Sequence, residues 1–373
     1  MSQLLSDAEI IERVFHHVDN QSTDRGEEVW QEPVESYLSQ ERFDAEIQLL
    51  RRLPVPFCPS AALPTAGSYL ARSAALTPLL VVRGDDGVVR AFRNACRHRG
   101  MPVAEGEGCA RAFNCPYHAW SYGLDGALKY VPGEDGFPNF DKAAHGLVPV
   151  KAEEKHGIIF ITQDDPVSTA GLDTTPEILH PSQQLFDVSE LTDNANWKLL
   201  CETSMEGYHI KALHNRSFYP YGYDNLNVVE TFGPNSRIIF PFRRIEKLRD
   251  VAPAERCIAG MVTAVYQLFP NTHVTILSSH SLFIVVEPIS PRESKWIFYR
   301  LSNQHGKGES GEEKLQEAKR DAKFVKDTGL DEDRGAATAI QASLETNANS
   351  HFTFGHFEKA IVHFHSNLQA LLP

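Results

Sequence analysis

No run of apolar residues in this 373-residue sequence is long enough to cross a bilayer as a helix. Its first residues, Met1-Ser2-Gln3-Leu4-Leu5-Ser6-Asp7, lack a basic stretch followed by an apolar one, so no secretory leader is read there. No basic stripe is present to neutralise phosphates, and a formal charge of −13 argues against a nucleic-acid partner. No G-x-G-x-x-G opens a helix after a strand, which excludes a dinucleotide fingerprint. Four of the six cysteines (Cys58, Cys109, Cys201 and Cys257) lack the spacing of a disulfide framework, and a reduced, cytoplasmic setting is expected. No internal repeat or low-complexity tract is evident. What is present is ordinary for a globular protein, 42% hydrophobic and 23% charged, with length enough for two domains.

Ser6-Asp7-Ala8-Glu9 is a capping box ahead of Ile10, Ile11, Val14 and Phe15, and predicts a helix. Phe43, Ile47 and Leu50 recur at helical spacing until Pro54 and Pro56 stop them. The period then changes. Leu79–Val82 and Val88–Phe92 flank Asp85-Asp86-Gly87, a hairpin signal; Asp125-Gly126 marks another turn, and Ile158–Ile161 is a short apolar strand. A small all-β domain is therefore expected over residues 55–163. Residues 1–54 supply N-terminal helices that would pack on a second domain, residues 164–373. That domain should open with a helical segment from Asn196-Trp197-Lys198 carrying Glu202, Glu206, His209 and His214. Strands are expected at Val262–Phe269, Thr272–Leu277, Leu282–Glu287 and Trp296–Leu301, a surface loop at Gly306–Gly311, and helices at Glu312–Asp327 and Asp333–Leu344. A last helix has Phe357, Ile361, Phe364 and Leu368 on one face.

The most informative stretch is Cys96-Arg97-His98, then sixteen residues, then Cys115-Pro116-Tyr117-His118. Two cysteines and two histidines can hold one tetrahedral zinc, or a [2Fe–2S] cluster with thiolates on one iron and imidazoles on the other. Zinc knuckles usually pair Cys with Cys and His with His. Here each loop supplies one of each, which suits the mixed-ligand cluster. Downstream, His209 and His214 with a carboxylate would make the facial triad of a non-haem Fe(II) site, open to O2 and substrate. Residues five apart point about 140° away from each other on a regular helix, so a π-bulge or a helix end is needed to converge the rings. Glu206 and Glu202 lie on the helical face of His209, which makes Glu206 a natural hydrogen-bond partner of that imidazole. His351, His356, His363 and His365 lie on or beside an amphipathic helix and read as structural or surface residues.

The text around Cys96 and Cys115, Cys-Arg-His-Arg-Gly and Cys-Pro-Tyr-His-Ala-Trp-Ser-Tyr-Gly-Leu-Asp-Gly, resembles a Rieske iron–sulfur domain. Glu202-Thr203-Ser204-Met205-Glu206-Gly207-Tyr208-His209 followed by His214 is similar to the E-N-x-x-E-x-Y-H-x-x-x-x-H motif of Rieske non-haem iron oxygenase α subunits. Thr203 departs from that pattern, which has Asn there, and alters the hydrogen-bonding groups near the ligands without removing one. The resemblance covers nearly the whole chain. It implies an α+β fold: an all-β Rieske domain with a [2Fe–2S] cluster, and a catalytic domain of antiparallel sheet covered by helices, of helix-grip type. It implies Cys96, His98, Cys115 and His118 as cluster ligands, and His209, His214 and Asp333 for a mononuclear Fe(II). Glu332-Asp333 with Gln341 fits the family's E-D followed by Gln; Asp331 and then Asp327 are the fallbacks. It further implies a homotrimer in which Glu206 carries electrons from one protomer's cluster to the next protomer's iron, with Glu202 assisting or structural.

The expected activity is that of the terminal component of a mono- or dioxygenase. It would take electrons from a separate NAD(P)H-dependent reductase or ferredoxin, and use O2 to hydroxylate or oxidatively demethylate an aromatic or quaternary-ammonium substrate. Met205 and Leu213 neighbour the ligands and are candidate pocket residues. The run Phe218-Tyr219-Pro220-Tyr221-Gly222-Tyr223 could line an entrance and hold a flat ring or an ammonium group. The alternative is a Rieske electron carrier or redox sensor with a degenerate second domain; a zinc-binding structural protein is a third reading.

Overall fold

The computed structural model describes residues 4–303, 311–326 and 331–372. The chain divides into two compact units: Leu50–Ser168 with Leu179–Pro181, and a larger one built from Met1–Leu49, Thr169–Ile178 and Ser182–Pro373. The expected α+β class is what is found.

The smaller unit is all β. Seven antiparallel strands run in the order Val55–Pro59, Ile158–Thr162, Pro149–Lys155, Val89–Arg93, Thr77–Arg83, Ser68–Ala74 and Gly106–Cys109. The hairpin between Thr77–Arg83 and Val89–Arg93 closes at Gly84–Val88, where Gly87 takes a φ of 77°, a value that disfavours any side chain. A second, three-stranded sheet (Phe113–Asn114, Ser121–Tyr122 and Leu128–Tyr130) stands beside it. Leu80, Val82, Phe92, Phe113, Trp120 and Tyr122 form the core of this unit, together with the side chains of Cys96 and Cys115. The two cysteine loops are thus rooted in the packed interior.

The larger unit is organised by another seven-stranded antiparallel sheet. Its order is Leu185–Asp193, Glu293–Ser302, His280–Ser290, Thr272–Ile276, Val262–Leu268, Asn235–Pro241 and Val228–Phe232. The interior strand His280–Ser290 is buried over its first nine residues, the mark of a strand covered on both faces. The helix Asp7–Asn20 starts where the capping box predicts, with Ser6 and Glu9 exchanging hydrogen bonds. It packs Ile10, Ile11, Val14 and Phe15 against Val228, Ile239, Val262 and Ala264 of the sheet. The four predicted strands between 262 and 301 are present, the third and fourth extended into a long hairpin. The strand pair Trp30–Pro33 with His351–Phe354, the edge strand Leu185–Asp193 and the hairpin Val228–Phe232/Asn235–Pro241 had no clear signal in the sequence. The last helix is Lys359–Leu371, with Phe357 in the 3-10 turn before it. Most of the loop expected at Gly306–Gly311 lies outside the described residues; Gly311 itself begins the helix Gly311–Val325.

The helical segment predicted through His214 is corrected. Only Trp197–Glu202 is a helix; the chain then leaves helical geometry and resumes a single short helix at Ile210–Leu213. What holds the first helix is a buried polar knot. The Asn196 side chain caps it by accepting from Lys198 N–H at 3.0 Å, and donates to the Pro291 carbonyl at 2.9 Å. Trp197 Nε1 and Lys198 Nζ both donate to the Glu46 carboxylate at 2.8 Å, and Lys198 also donates to the Ser36 carbonyl at 2.9 Å. Lys198 and Glu46 have fully buried side chains. An ion pair so placed contributes little net stability, but half of it is costly. Glu46→Leu should therefore destabilise the fold by about 3–5 kcal/mol in denaturant titration, and adding Lys198→Met should recover most of that loss. A single-variant loss under about 1 kcal/mol would show that Lys198 finds water.

Candidate metal centres

The two cysteine loops share one backbone plan. Cys96 N–H donates to the Met101 carbonyl and Gly100 N–H to the Cys96 carbonyl, each at 2.8 Å. Cys115 N–H donates to the Trp120 carbonyl and Ala119 N–H to the Cys115 carbonyl, each at 2.9 Å. Both loops turn through positive φ at the matching place, 81° at Gly100 and 56° at Ala119. The second is the loop of the hairpin that pairs Asn114 with Ser121. Each loop buries its cysteine, both 3% exposed, while His98 and His118 stand towards the surface with their Nδ1 atoms 3.1 Å apart. Trp120 stacks on the His98 ring at 4.9 Å between centroids and Tyr117 on His118 at 3.8 Å, which fixes both imidazoles. Burial pushes the Cys96 thiol above its ordinary pKa, against the opposing hydrogen bond from Tyr122. Tyr122 accepts from Arg97 N–H at 2.9 Å, which leaves its own proton for Cys96 Sγ at 3.2 Å. Two inward thiols and two convergent outward imidazoles are the donor set a Rieske cluster needs, and hydrogen bonds to sulfur raise such a cluster's potential.

In the larger unit, among the described residues, one set of three His, Cys, Asp or Glu side chains gathers its ligand atoms within 4.8 Å: His209, His214 and Asp333. The helix between the two histidines is a single turn that ends before His214. His209 precedes the short helix Ile210–Leu213 and His214 follows it, and their rings meet with centroids 5.1 Å apart. The Glu206 carboxylate accepts from the backbone N–H groups of Tyr208 and His209 and from His209 Nδ1. Gly207 leaves no room for a side chain, since a Cβ there would lie 2.4 Å from the Asn227 amide, which accepts from Gly207 N–H at 3.2 Å. Thr203 uses its hydroxyl to cap the Leu200 carbonyl at 2.9 Å.

The fourth player had no separate role in the sequence reading. Glu332 accepts from His214 Nδ1 at 2.7 Å and from Ser217 Oγ at 2.5 Å. Both histidines thus give Nδ1–H to a glutamate and turn Nε2 towards Asp333 Oδ1, at 3.6 Å from His209 and 3.0 Å from His214. A carboxylate on the distal nitrogen fixes the tautomer and makes the facing nitrogen a better donor to a metal. This donor set fits a single Fe(II) in a 2-His-1-carboxylate arrangement. The only signal for Glu332 was its place beside Asp333. Gln341, in the same motif, touches none of the three; its Oε1 accepts from Asn196 N–H at 2.8 Å. Asp331 pairs with Arg334 at 2.9 Å, and Asp327 lies outside the described residues.

Glu202 is structural: it accepts from Tyr37 OH at 2.7 Å and from His365 Nε2 at 2.8 Å. His351, His356 and His363 bond to a serine or to backbone carbonyls and gather no metal set among the described residues. A cavity of about 610 Å³ adjoins the triad, walled by Phe218, Tyr221, Phe240, Leu282, Ile284 and Trp296 among others. Met205 and Leu213 are not in that wall, contrary to expectation; Met205 is buried in the core. Leu213 sits on the short helix before His214, where successive side chains point about 100° apart, while Met205 lies in the non-helical stretch after Glu202. Phe218, Pro220, Tyr221, Gly222 and Tyr223 do line it, as the aromatic run implied.

Burial works to strip the proton from both ligand histidines, but the carboxylates outweigh it and hold both pKa values above the ordinary one: Glu206 then Asp333 at His209, Asp333 then Glu332 at His214. Iron must displace the Nε2 protons, so its affinity falls as pH drops, and the fall begins at a higher pH than for ordinary imidazoles. Chelator competition between about pH 8 and about pH 6 should show affinity dropping by up to about a hundredfold per pH unit, the limit of two protons displaced. Glu332→Gln should weaken mononuclear iron about 10–100-fold and leave the cluster's visible spectrum unchanged. Unchanged iron affinity in that variant would mean that Glu332 does not orient His214.

Residues 54–141 match the model of the Rieske [2Fe-2S] domain, and residues 187–373 match that of the ring hydroxylating alpha subunit (catalytic domain). The chain is similar to the glycine betaine monooxygenase oxygenase subunit of Chromohalobacter salexigens, 37% identical over 159 residues, 41% of this chain and 36% of that protein. It is also similar to the carnitine monooxygenase oxygenase subunit of Escherichia coli K12, 28% identical over 306 residues, 74% of this chain and 80% of that one. The alignment thus spans little more than a third of the first relative and four-fifths of the second. A solved quaternary ammonium Rieske monooxygenase shares the fold with a TM-score of 0.79 at 21% identity, over 92% of this chain and 96% of that one.

Proposed function

The chain belongs to the ring-hydroxylating alpha-subunit family of Rieske oxygenases, and on that premise we propose that it is the terminal oxygenase of a multicomponent system. Electrons would enter from a separate NAD(P)H-dependent reductase or ferredoxin. O2 would be spent on hydroxylating or oxidatively demethylating a small organic substrate. The observation that carries this reading is the convergence of two imidazoles and one carboxylate within 4.8 Å of one another, at the wall of an apolar cavity. An electron carrier with a degenerate second domain would have no need of that constellation, nor of two glutamates fixing the tautomers behind it.

Cys96, His98, Cys115 and His118 would hold the cluster, and His209, His214 and Asp333 the mononuclear iron. The first group, when bound, supplies one-electron transfer and the second O2 activation. The protein's own part is positional. The imidazoles on the cluster side, His118 exposed and His98 half-buried, offer a short exit for an electron, and the largely apolar wall would limit water at the iron side. Three protein ligands would leave room on the metal for O2 and substrate.

Glu206 is our candidate for the link between centres. It holds His209 Nδ1 and is only partly exposed, at 12% of its side chain. In a homotrimer it would bridge to the cluster histidines of an adjoining protomer. Metal analysis should give about three irons per chain, falling to about two in Asp333→Ala with the cluster spectrum retained. Two irons in the unaltered protein would favour the electron carrier. NADH alone should support no oxygen uptake, and adding a reductase should restore it. Glu206→Gln should keep about three irons yet slow reoxidation of the reduced cluster, in the presence of O2 and substrate, by about tenfold or more. Full-rate reoxidation in that variant would remove Glu206 from the electron path.

A further inference from the structure

Two consecutive cations, Arg243 and Arg244, stand in the wall of the cavity beside the iron triad. They begin the 3-10 segment Arg243–Asp250. Arg243 N–H donates to the Tyr221 carbonyl at 2.8 Å, which ties the segment to the aromatic run that follows His214. The Arg243 guanidinium lies 5.3 Å from the centre of the Tyr223 ring and 5.5 Å from that of Tyr219. Of these two rings Tyr223 lines the cavity; its face is one that a quaternary ammonium would seek, and a cation already lies over it. An ammonium group here would meet like charge.

Among the described residues, nearby carboxylates match this charge only in part. Among the described residues no carboxylate lies in ion-pair reach of Arg243. Arg244 donates to Ser278 Oγ at 2.7 Å. Among the described wall residues, Asp321 is the acid whose ionisation Arg244 affects, and its carboxylate is engaged by His280 Nδ1 at 2.8 Å and Ser279 N–H at 3.1 Å. The other acids described in the wall, Glu206 and Asp333, bond to His209 and His214. In a chain of net charge −13 an anionic molecule is repelled at long range, so its capture requires a local cationic site of this kind.

We propose that the substrate of this cavity is an organic carboxylate with an uncharged apolar body, its anion held by Arg243 and Arg244 and its body against Phe240, Leu282 and Ile284. This rests on the oxygenase reading only for what happens after binding; the recognition itself concerns the cavity alone. Guanidinium groups suit the task because their planar donors match a carboxylate's two oxygens.

The test is anaerobic calorimetry on the iron-loaded protein with a graded panel of acids (benzoate, 4-tert-butylbenzoate, cyclohexanecarboxylate), their carboxamides, and choline. The best acid should bind about tenfold or more tightly than its amide, more weakly as salt is raised, and choline should bind least. Arg243→Gln with Arg244→Gln should erase the advantage of the acid over its amide, whereas Arg243→Lys should keep part of it. The proposal is overturned if every amide matches its acid, if choline binds more tightly than the acids, or if the double variant leaves the preference intact. Oxygen uptake with a reductase then separates the two readings. Acids that bind without stimulating uptake would sink the oxygenase and keep the site, whereas uptake stimulated equally by amides would keep the oxygenase and sink the site.

Discussion

A helix of one turn, Ile210–Leu213, that ends just before His214 is the constraint on which the proposed iron site depends. Two histidines five residues apart cannot grip one ion from a continuous helix, because their side chains would diverge by about 140°. Upstream, between Glu202 and Ile210, the chain leaves helical geometry and uses its backbone groups locally: the Glu206 carboxylate takes the N–H groups of Tyr208 and His209 as well as the His209 ring. One side chain thus ties down the segment before the short helix and orients the His209 ring. Gly207 is required for the same bend, since the Asn227 amide occupies the space of a Cβ. From the far end of the sequence, adjacent residues divide the remaining work. Asp333 faces the two Nε2 atoms, and Glu332 takes the Nδ1 of His214. Both sit in the first turn of the helix Asp331–Ser343, where the unpaired N–H groups of a helix start favour negative charge.

Such a break needs something rigid on either side. Upstream it is the buried knot of Lys198, Glu46, Trp197 and Asn196, followed by Glu202 clasped between Tyr37 and His365. These contacts join segments far apart in the chain, so the short helix Trp197–Glu202 is held by tertiary partners and not by its own propensity. A charged pair buried without water contributes little net stability, but it penalises any register in which the partners miss each other. The asymmetry between the centres has a similar logic. The cluster loops bury sulfur and expose imidazole, which suits an electron arriving at or leaving by the histidine edge, whereas the iron site buries its histidine, His214 being 1% exposed, and faces an apolar cavity.

What could be read from the sequence was what spacing alone decides. The capping box at Ser6, the hairpin at Asp85–Gly87 and the strands between Val262 and Leu301 are local patterns, and they recur in the fold. The candidates Cys96, His98, Cys115 and His118, and His209 with His214, stood out because their intervals are short; Asp333, 119 residues beyond His214, was placed only by the family motif. The pairing of Trp30–Pro33 with His351–Phe354 was not, since neither four-residue segment carries a period of its own. The role of Glu332 was hidden for another reason. A Glu-Asp pair shows two carboxylates, but which of them meets a nitrogen depends on where the helix lies. Leu213 failed as a wall residue for a related reason: proximity along a helical turn is not proximity in direction. Met205, outside the helices, is buried in the core.

The cavity wall explains why the chemistry of such a site is legible and its substrate is not. The iron-side groups come from one short segment and one helix start. The wall is collected mostly from alternate positions of five sheet strands, Phe240, Val265, Thr275, Leu282 and Trp296 among them, and from the segment Phe242–Arg244. Alternation along a strand shows that a residue faces one side, and not what stands opposite it. An aromatic run such as Phe218–Tyr223 therefore reads as a receptor for cations until Arg243 is seen lying over two of its rings. Charge inverts the meaning of the same rings: bare, they favour an ammonium; covered by a guanidinium, they orient that group to face an anion.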